Sequence, residues 1–412
     1  MPSMLFSSPI MTDAPTSFDV ARARADTPGC TDILHFNNAG SALPPEPVLT
    51  AQTEHLKQEA RFGGYEAADM AADRLQHTYV AIAQLLGADA EEIAVVENAT
   101  RAWDMVFYGL DLQPGDRILT TAASYASNYI AMLQRAEATG AVVEVVPADA
   151  HGQVDTAALR DMIDDRTALI ALTHIPTNGG LINPAEEVGA IAQDAEVPFL
   201  LDACQSAGQV PLDVEALGCT MLSATGRKFL RGPRGTGFLY VQRDWIERIT
   251  PPLLDLHAAT LTGPDTYRIR SDARRFENWE GYVAGKIGLG VAVDYALSWG
   301  LDAIAERVQH LAGQLRAALA EVHGATVYDL GVRKSGIVTF GISGWEASKI
   351  KHRLRTEGMH VSVSTPSSTL LDAEARTLPD LVRASVHYYN TKQEIERFVA
   401  TLQQRFPAQV HR

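Results

Sequence analysis

One lysine stands where chemistry could be done. Ser223-Ala224-Thr225-Gly226-Arg227-Lys228 closes an apolar run, Cys219 to Leu222, with a small polar turn. A glycine-rich stretch with two further arginines follows, Phe229-Leu230-Arg231-Gly232-Pro233-Arg234-Gly235-Thr236-Gly237, and then a second apolar run, Phe238 to Val241. A reacting lysine needs a neutral amine at working pH, and partial burial and neighbouring cations push its pKa that way. Arg227 beside it would do so while holding an anion. A solvated basic loop has the same composition, since loop lysines usually face water, so residues upstream decide between the two. Phe199-Leu200-Leu201-Asp202 is a buried-type strand ending in an acid, and open α/β sheets put ligand-contacting residues at such strand ends.

An aspartate there and a lysine 26 positions later (228 minus 202) suit pyridoxal 5'-phosphate. The carboxylate would pair with the pyridine nitrogen, and the lysine would carry the aldehyde as a Schiff base. With these motifs the chain resembles the class V aminotransferase-like, fold type I pyridoxal-phosphate enzymes, which include the cysteine desulfurases. The resemblance runs from Asn37 to Phe398. It implies an α/β fold, with a large domain on a mostly parallel, seven-stranded-type sheet and a smaller C-terminal α+β domain. It also implies a homodimer whose sites are shared between subunits.

The resemblance distributes roles over this sequence. Lys228, Asp202 and Tyr125 are the catalytic candidates, with the Tyr125 ring stacked on the pyridine where histidine is common. Glu97-Asn98-Ala99-Thr100 starts a helix after the strand Ile93 to Val96, and a helix N-terminus with free N–H groups is an anion site. A capping role for Asn98 or Thr100 is compatible with that. Ala99 and Thr100 match residues that hold the cofactor phosphate. So do Thr225 and Arg227, where desulfurases carry serine and histidine; Arg227 supplies a permanently charged fork instead. Thr177 or Asn178, in the turn after His174, and Gln205 are candidates to donate to the phenolic oxygen. Arg383, in Leu381-Val382-Arg383-Ala384-Ser385, matches the arginine that grips the substrate α-carboxylate. Asn38 and Tyr65 are substrate-side candidates, Tyr65 standing where group II desulfurases have an active-site histidine. Arg274-Arg275-Phe276-Glu277 resembles the segment that meets the neighbouring subunit's site. Glu280, near Trp279, falls where desulfurases place a threonine against the partner's phosphate, and a carboxylate facing it would repel it.

The elements that must position these residues read as a regular alternation. Strands are predicted at Arg117-Thr120, Val142-Val146, Ala168-Thr173, Pro198-Leu201 and Thr220-Ser223, with helices near Ala126-Ala138, Thr156-Ile163 and Pro184-Gln193. Right-handed crossovers and a sheet covered on both faces follow from that order. A helix over Thr50-Ala60 is broken by Phe62-Gly63-Gly64-Tyr65, and a second runs from Ala68 to Leu86. Helices Gly288-Trp299 and Leu301-His323 lead into C-terminal strands at Ile337-Phe340 and His360-Val363. The expected division is a flexible arm over 1–30, a large cofactor-binding domain over 31–290 and a small domain over 291–412.

The chain has 412 residues, 46% hydrophobic and 21% charged, enough for two domains with sizeable cores. A net charge of -15 argues against nucleic acid or an anionic membrane as partner. No apolar run reaches the ~18 residues of a membrane helix. Met1 to Asp26 lacks the basic start and apolar core of a secretory signal. Cys30, Cys204 and Cys219 are too few and too scattered for a disulfide framework or a zinc site. These features point to the cytoplasm and to no metal, and the resemblance implies a small-molecule amino-acid substrate.

The missing residue narrows the chemistry. Group II cysteine desulfurases carry a nucleophilic cysteine shortly before the carboxylate-binding arginine, and here Ser362-Val363-Ser364-Thr365-Pro366-Ser367-Ser368 has none. The remaining outcomes all begin with Lys228 removing the Cα proton of an amino acid held in an external aldimine. They are loss of a β-substituent (a C–S or C–Se lyase), reprotonation on the other face (an epimerase or racemase), and transamination. The Phe-Gly-Gly-Tyr segment, the turn after His174 and the lysine loop resemble the hercynylcysteine sulfoxide lyase and isopenicillin N epimerase-like branch, which favours the lyase. A catalytically silent cofactor-binding protein is the alternative of another class; Lys228, Asp202 and Arg383 being present together weighs against it.

Overall fold

The structure, a computed structural model, describes residues 18–407. Its main sheet has seven strands: β1 (Ile93–Val96), β2 (Arg117–Thr121), β3 (Val142–Val146), β4 (Thr167–Thr173), β5 (Phe199–Asp202), β6 (Met221–Thr225) and β7 (Gly237–Val241), in the order β1-β7-β6-β5-β4-β2-β3. Only β7 runs against its neighbours; the pairs β6–β5, β5–β4, β4–β2 and β2–β3 are parallel. β4 and β5 are near-continuous apolar runs, the pattern of strands covered on both faces. Their side chains alternate between two cores: Ile170, Leu172, Phe199 and Leu201 pack on one side, and Leu169, Ala171 and Leu200 on the other. The helices Ala126–Thr139, Thr156–Met162 and Ala185–Asp194 supply the crossovers.

A second, antiparallel sheet of four strands follows: β8 (Ala325–Val327), β9 (Ile337–Ile342), β10 (Ser362–Ser364) and β11 (Leu381–Ser385), in the order β8-β9-β11-β10. It packs with its helices around a core of its own, including Phe36, Phe340, Val382 and Phe398. β11, carrying Arg383, is interior: Arg383 lies opposite Thr339 on one side and Ser362 on the other.

Some expectations shift. The first helix begins at Glu46 rather than Thr50 and ends at Gly63, whose φ of 98° breaks it. The next begins at Gly64 and is interrupted at Ala71, giving Gly64–Met70 and Ala72–Leu86. The expected strand His360-Val363 is divided, Met359–His360 pairing with Leu34–His35 and Ser362–Ser364 with β11. The arm expected over residues 1–30 falls partly outside the described residues, but from Phe18 onward it is packed structure. Phe18 stacks on Trp299 at 4.8 Å and Arg24 meets Glu394 at 2.9 Å, around the helix Val20–Ala25; burying an aromatic ring and pairing an arginine outweigh the chain entropy an arm would keep. Among the described residues no single helix is long and apolar enough to cross a membrane; Val283–Trp299 and Leu301–Ala320 qualify only as a pair bent by 80°.

Candidate active site

The carboxyl ends of β4, β5 and β6 open into a cavity of about 450 Å³, within the range that holds a small ligand. Asn98, Ala99, Thr100, Tyr125, Thr173, Ile175, Thr177, Asp202, Cys204, Gln205, Thr225, Arg227 and Lys228 line it. The sequence therefore brings most of its candidates together, from five separate segments.

At one end, Asn98 caps the helix Ala99–Phe107, its side chain accepting from the Arg101 amide at 2.9 Å. The amides of the first turn have no partner within the helix. The turn is held close to the sheet because β7 begins with a glycine: a Cβ on Gly237 would lie 2.7 Å from the Asn98 carbonyl carbon. Glu277, buried, braces the strand before it by accepting from the Val95 amide at 2.7 Å and from Tyr79 at 2.8 Å. Facing this turn, Arg227 Nη1 donates to Thr225 Oγ1 at 3.0 Å, so a hydroxyl aims the guanidinium.

At the other end, Asp202 is buried with both oxygens engaged. Asn128 Nδ2 donates to Oδ2 and the Cys204 amide to Oδ1, each at 2.9 Å. Between the two ends stands Lys228. Burial lowers its pKa, Cys204 and Asp202 oppose that, and the cations Arg227 and Arg383 add to it. Its loop is fixed from several sides. The backbone of Phe229 and Leu230 passes so close to Gly208 (φ 84°) that a Cβ there would meet it at 2.5 Å. The Ala42 amide donates to the Arg227 carbonyl at 2.9 Å, and the Arg231 amide to the Lys228 carbonyl at 2.9 Å. His387 Nε2 bonds the Phe229 carbonyl at 2.8 Å while its Nδ1 accepts from the Tyr388 amide. Burial holds this imidazole neutral, far below its usual pKa.

Thr177 sits where cavity and second sheet meet. Arg383 Nη1 donates to its hydroxyl at 2.6 Å and to its carbonyl at 3.2 Å. Burial and Arg227 push the Arg383 pKa down to about 10, with Tyr125 opposing, so the guanidinium is cationic at neutral pH. Among the described residues its Nε is buried without a partner, as is Gln205 Oε1, while Gln205 Nε2 donates to the Ala39 carbonyl at 3.1 Å.

Three candidates lie elsewhere. Asn178 turns its amide to the Thr365 carbonyl and Thr369 hydroxyl instead of the cavity. Asn38 is fully buried between strands: its Nδ2 donates to the Ser385 carbonyl at 2.7 Å and its Oδ1 accepts from Tyr389, which leaves no polar atom for a substrate. Tyr65 is 71% exposed on a surface helix. Asn128, Gly208, Arg231 and His387 escaped the sequence reading. Only Asn128, one helical turn past Tyr125, carried a signal that could have found it. A larger cavity of about 810 Å³ is lined by His174 and carboxylates such as Asp149, Glu187 and Asp302. None of the candidates faces it.

These residues fit pyridoxal phosphate. A free helix N-terminus, Thr225 and Arg227 suit its phosphate, a twice-held carboxylate suits its pyridine nitrogen, an orphaned Gln205 oxygen awaits a polar partner, and a buried lysine lies between. Fold and site together define a fold type I pyridoxal-phosphate site.

Comparison with known proteins agrees. The chain matches the family described as aminotransferase class-V over residues 34–398 and belongs to it. It is 30% identical over 391 residues to a probable cysteine desulfurase of Methanothermobacter thermautotrophicus, covering 92% of this chain and 96% of that one. It is 31% identical over 403 residues to a cysteine desulfurase of an Enterobacter species, covering 94% and 98%. Among solved structures, an apo cysteine desulfurase from Thermococcus onnurineus superposes with a TM-score of 0.88 at 26% identity, covering 95% of this chain and 99% of that one. The protein is thus a pyridoxal-phosphate-dependent enzyme of the class V aminotransferase family.

Proposed function

We propose that the protein is a β-eliminating lyase acting on an L-amino acid with a sulfur or selenium leaving group, in the manner of the hercynylcysteine sulfoxide lyase-like branch, and that it forms no protein persulfide. The observation that carries this reading is the segment beside Arg383. Several relatives are named cysteine desulfurases, and that activity in group II enzymes needs a thiol on this segment. Here it reads Ser362 to Thr369 without cysteine. Cys30 and Cys219 are buried, burial pushes the Cys219 thiol up to about 12, and burial and Asp202 keep Cys204 protonated. No thiol of this chain is poised as a nucleophile.

The cofactor, when bound, supplies an electron sink for the Cα carbanion. The chain supplies the rest. Arg383, aimed by Thr177, binds the α-carboxylate. Lys228 Nζ takes the Cα proton. Loss of the β-substituent would send the Cβ–X electron pair onto X, which would take up the proton held by Lys228 as X–H, and water would convert the released enamine to pyruvate and ammonia. Asp202, held by Asn128, would keep a proton on the pyridine nitrogen. Ala99, Thr100, Thr225 and Arg227 would hold the phosphate.

We further propose a homodimer located in the cytoplasm. Leu49, Leu56, Phe62, Tyr65, Met70, Trp279 and Tyr282 are exposed large hydrophobics, and Tyr282 bonds Gln52 at 3.3 Å, which ties the two stretches into one surface. Such patches favour burial against a partner.

Purified, cofactor-loaded protein offered a panel of L- and D-amino acids and cysteine conjugates decides the reaction. Pyruvate, ammonia and a released thiol or sulfenic species are expected. Alanine with cyanolysable sulfur on the protein would establish a desulfurase. Inverted or deuterium-exchanged amino acid without pyruvate would establish an epimerase.

A further inference from the structure

Asn178 neighbours the residue that aims Arg383, yet its own side chain crosses to the second sheet. It is buried, and its Nδ2 donates to the Thr365 carbonyl at 3.2 Å and to Thr369 Oγ1 at 3.0 Å. Its Oδ1 has no partner among the described residues, so there the two donor bonds orient the amide. Both acceptors are more than 180 residues away in sequence. They belong to the segment between β10 and the helix Leu370–Ala375. The helix after it is tied to the main-sheet side as well: the Asp372 amide donates to the Ala122 carbonyl at 3.2 Å, three residues before Tyr125. Residues 365–372 therefore span from the turn bearing Thr177 to the turn bearing Tyr125, while β10 before them lies opposite Arg383.

We propose that Asn178 is a positioning residue: it latches segment 365–372 between the turns bearing Thr177 and Tyr125 and thereby fixes the Arg383–Thr177 pair for carboxylate binding. Thr177 and Asn178 share one turn, so freeing the Asn178 amide loosens the backbone carbonyl and hydroxyl that aim Arg383. Without the latch only the Asp372–Ala122 bond would join this segment's backbone to the main-sheet side. The latch also gives the cysteine-free segment a role as a fixed wall, with the hydroxyls of Thr365 and Ser367 linked at 3.0 Å, where a nucleophile-bearing loop would have to move. This inference rests on the proposed function only for the class of ligand, an amino-acid carboxylate.

The test uses the full cofactor-loaded chain, with Asn178→Val, Thr369→Val and the double variant. Hydrogen exchange of amides 365–372 is measured without substrate, and L-alanine binding is read from the shift in cofactor absorbance. Asn178→Val is expected to retain cofactor, to speed exchange of the segment about tenfold and to weaken L-alanine about tenfold, the scale of a lost pair of hydrogen bonds. Thr369→Val should reproduce part of both effects, and the double variant should be no worse than Asn178→Val. Unchanged exchange, or effects that simply add, overturns the latch. Loss of cofactor from Asn178→Val alone also overturns it, since Asn178 would then be a cofactor ligand. Failure of L-alanine to bind the unaltered enzyme counts against the proposed function, and exchange still decides the latch. Should Asn178→Val fail to fold, Thr369→Val decides on the same readouts.

Discussion

Arg383 and Thr177 meet at 2.6 Å across the boundary between the two sheets, so the guanidinium proposed to bind the substrate carboxylate is aimed by a hydroxyl from the opposite side of the cavity. A buried arginine with an unpartnered Nε and a preset direction is an anion receptor organised before ligand arrives. Thr177→Val removes the hydroxyl at nearly constant volume. It should weaken amino-acid binding about tenfold, whereas Arg383→Ala should weaken it roughly a hundredfold. Titrations of the cofactor absorbance measure both; equal losses would mean that Thr177 binds substrate as strongly as Arg383 does.

Lys228 is the group asked to move the Cα proton. Lys228→Ala should lower turnover by roughly 10²- to 10⁴-fold, the usual contribution of a positioned base. Cofactor should remain bound through the Thr225–Arg227 end. The loss appears in single-turnover assays, and phosphate-end binding shows in the cofactor content of the purified variant. Ordinary turnover by Lys228→Ala would remove the lysine from the mechanism.

Asn128 holds the oxygen of Asp202 that the Cys204 amide does not. Asn128→Ala leaves that buried oxygen without its donor, a loss of about 1–3 kcal/mol. Cofactor release on dialysis should therefore be faster than in the unaltered enzyme, with the phosphate end intact. An unchanged release rate would show that Asp202 needs no such support.

The main sheet, the lysine turn and the capped start of the helix Ala99–Phe107 were legible in the sequence because each is local: an apolar run, a turn, a cap. Thr225 ends β6, and Arg227 and Lys228 follow it directly and share its fate. Asn38 and Asn178 were misplaced because their surroundings come from distant segments. Asn38 is enclosed by Ser385, Tyr389 and Asn390, and Asn178 by Thr365 and Thr369. An asparagine in a turn has the same local pattern whether its amide meets a ligand or a loop, and only the folded chain decides.

Acid should unfold the protein through its buried histidines. Burial lowers His35 and His174 from 6.5 to about 4, so between pH 6.5 and 4 the unfolded chain binds more protons than the folded one. Stability is then full above pH 6.5 and falls as pH drops toward 4, by on the order of 3 kcal/mol per histidine. Urea midpoints across that window should fall with pH, and His174→Gln should flatten the fall. A midpoint independent of pH over this range would contradict the burial of both rings.

Arg231 is the last residue whose removal should reach the lysine. It is 1% exposed, holds a φ of 61°, and among the described residues bonds only uncharged groups. Its guanidinium donates to the Leu43 carbonyl at 2.8 Å, to Tyr388 at 2.7 Å and to Thr27, and lies 4.6 Å from the Tyr389 ring centroid. Three separate stretches of chain thus converge on a residue whose own amide bonds Lys228. Arg231→Met keeps much of the volume but loses these bonds and the cation–π contacts, a cost of about 3 kcal/mol. The urea midpoint should fall accordingly, and the pH at which the lysine-bound cofactor changes colour should shift, because the Lys228 loop is no longer fixed. Arg234→Met, on the same loop but exposed, is the control and should change neither. A midpoint loss in Arg231→Met without a spectral shift would confine Arg231 to holding the fold.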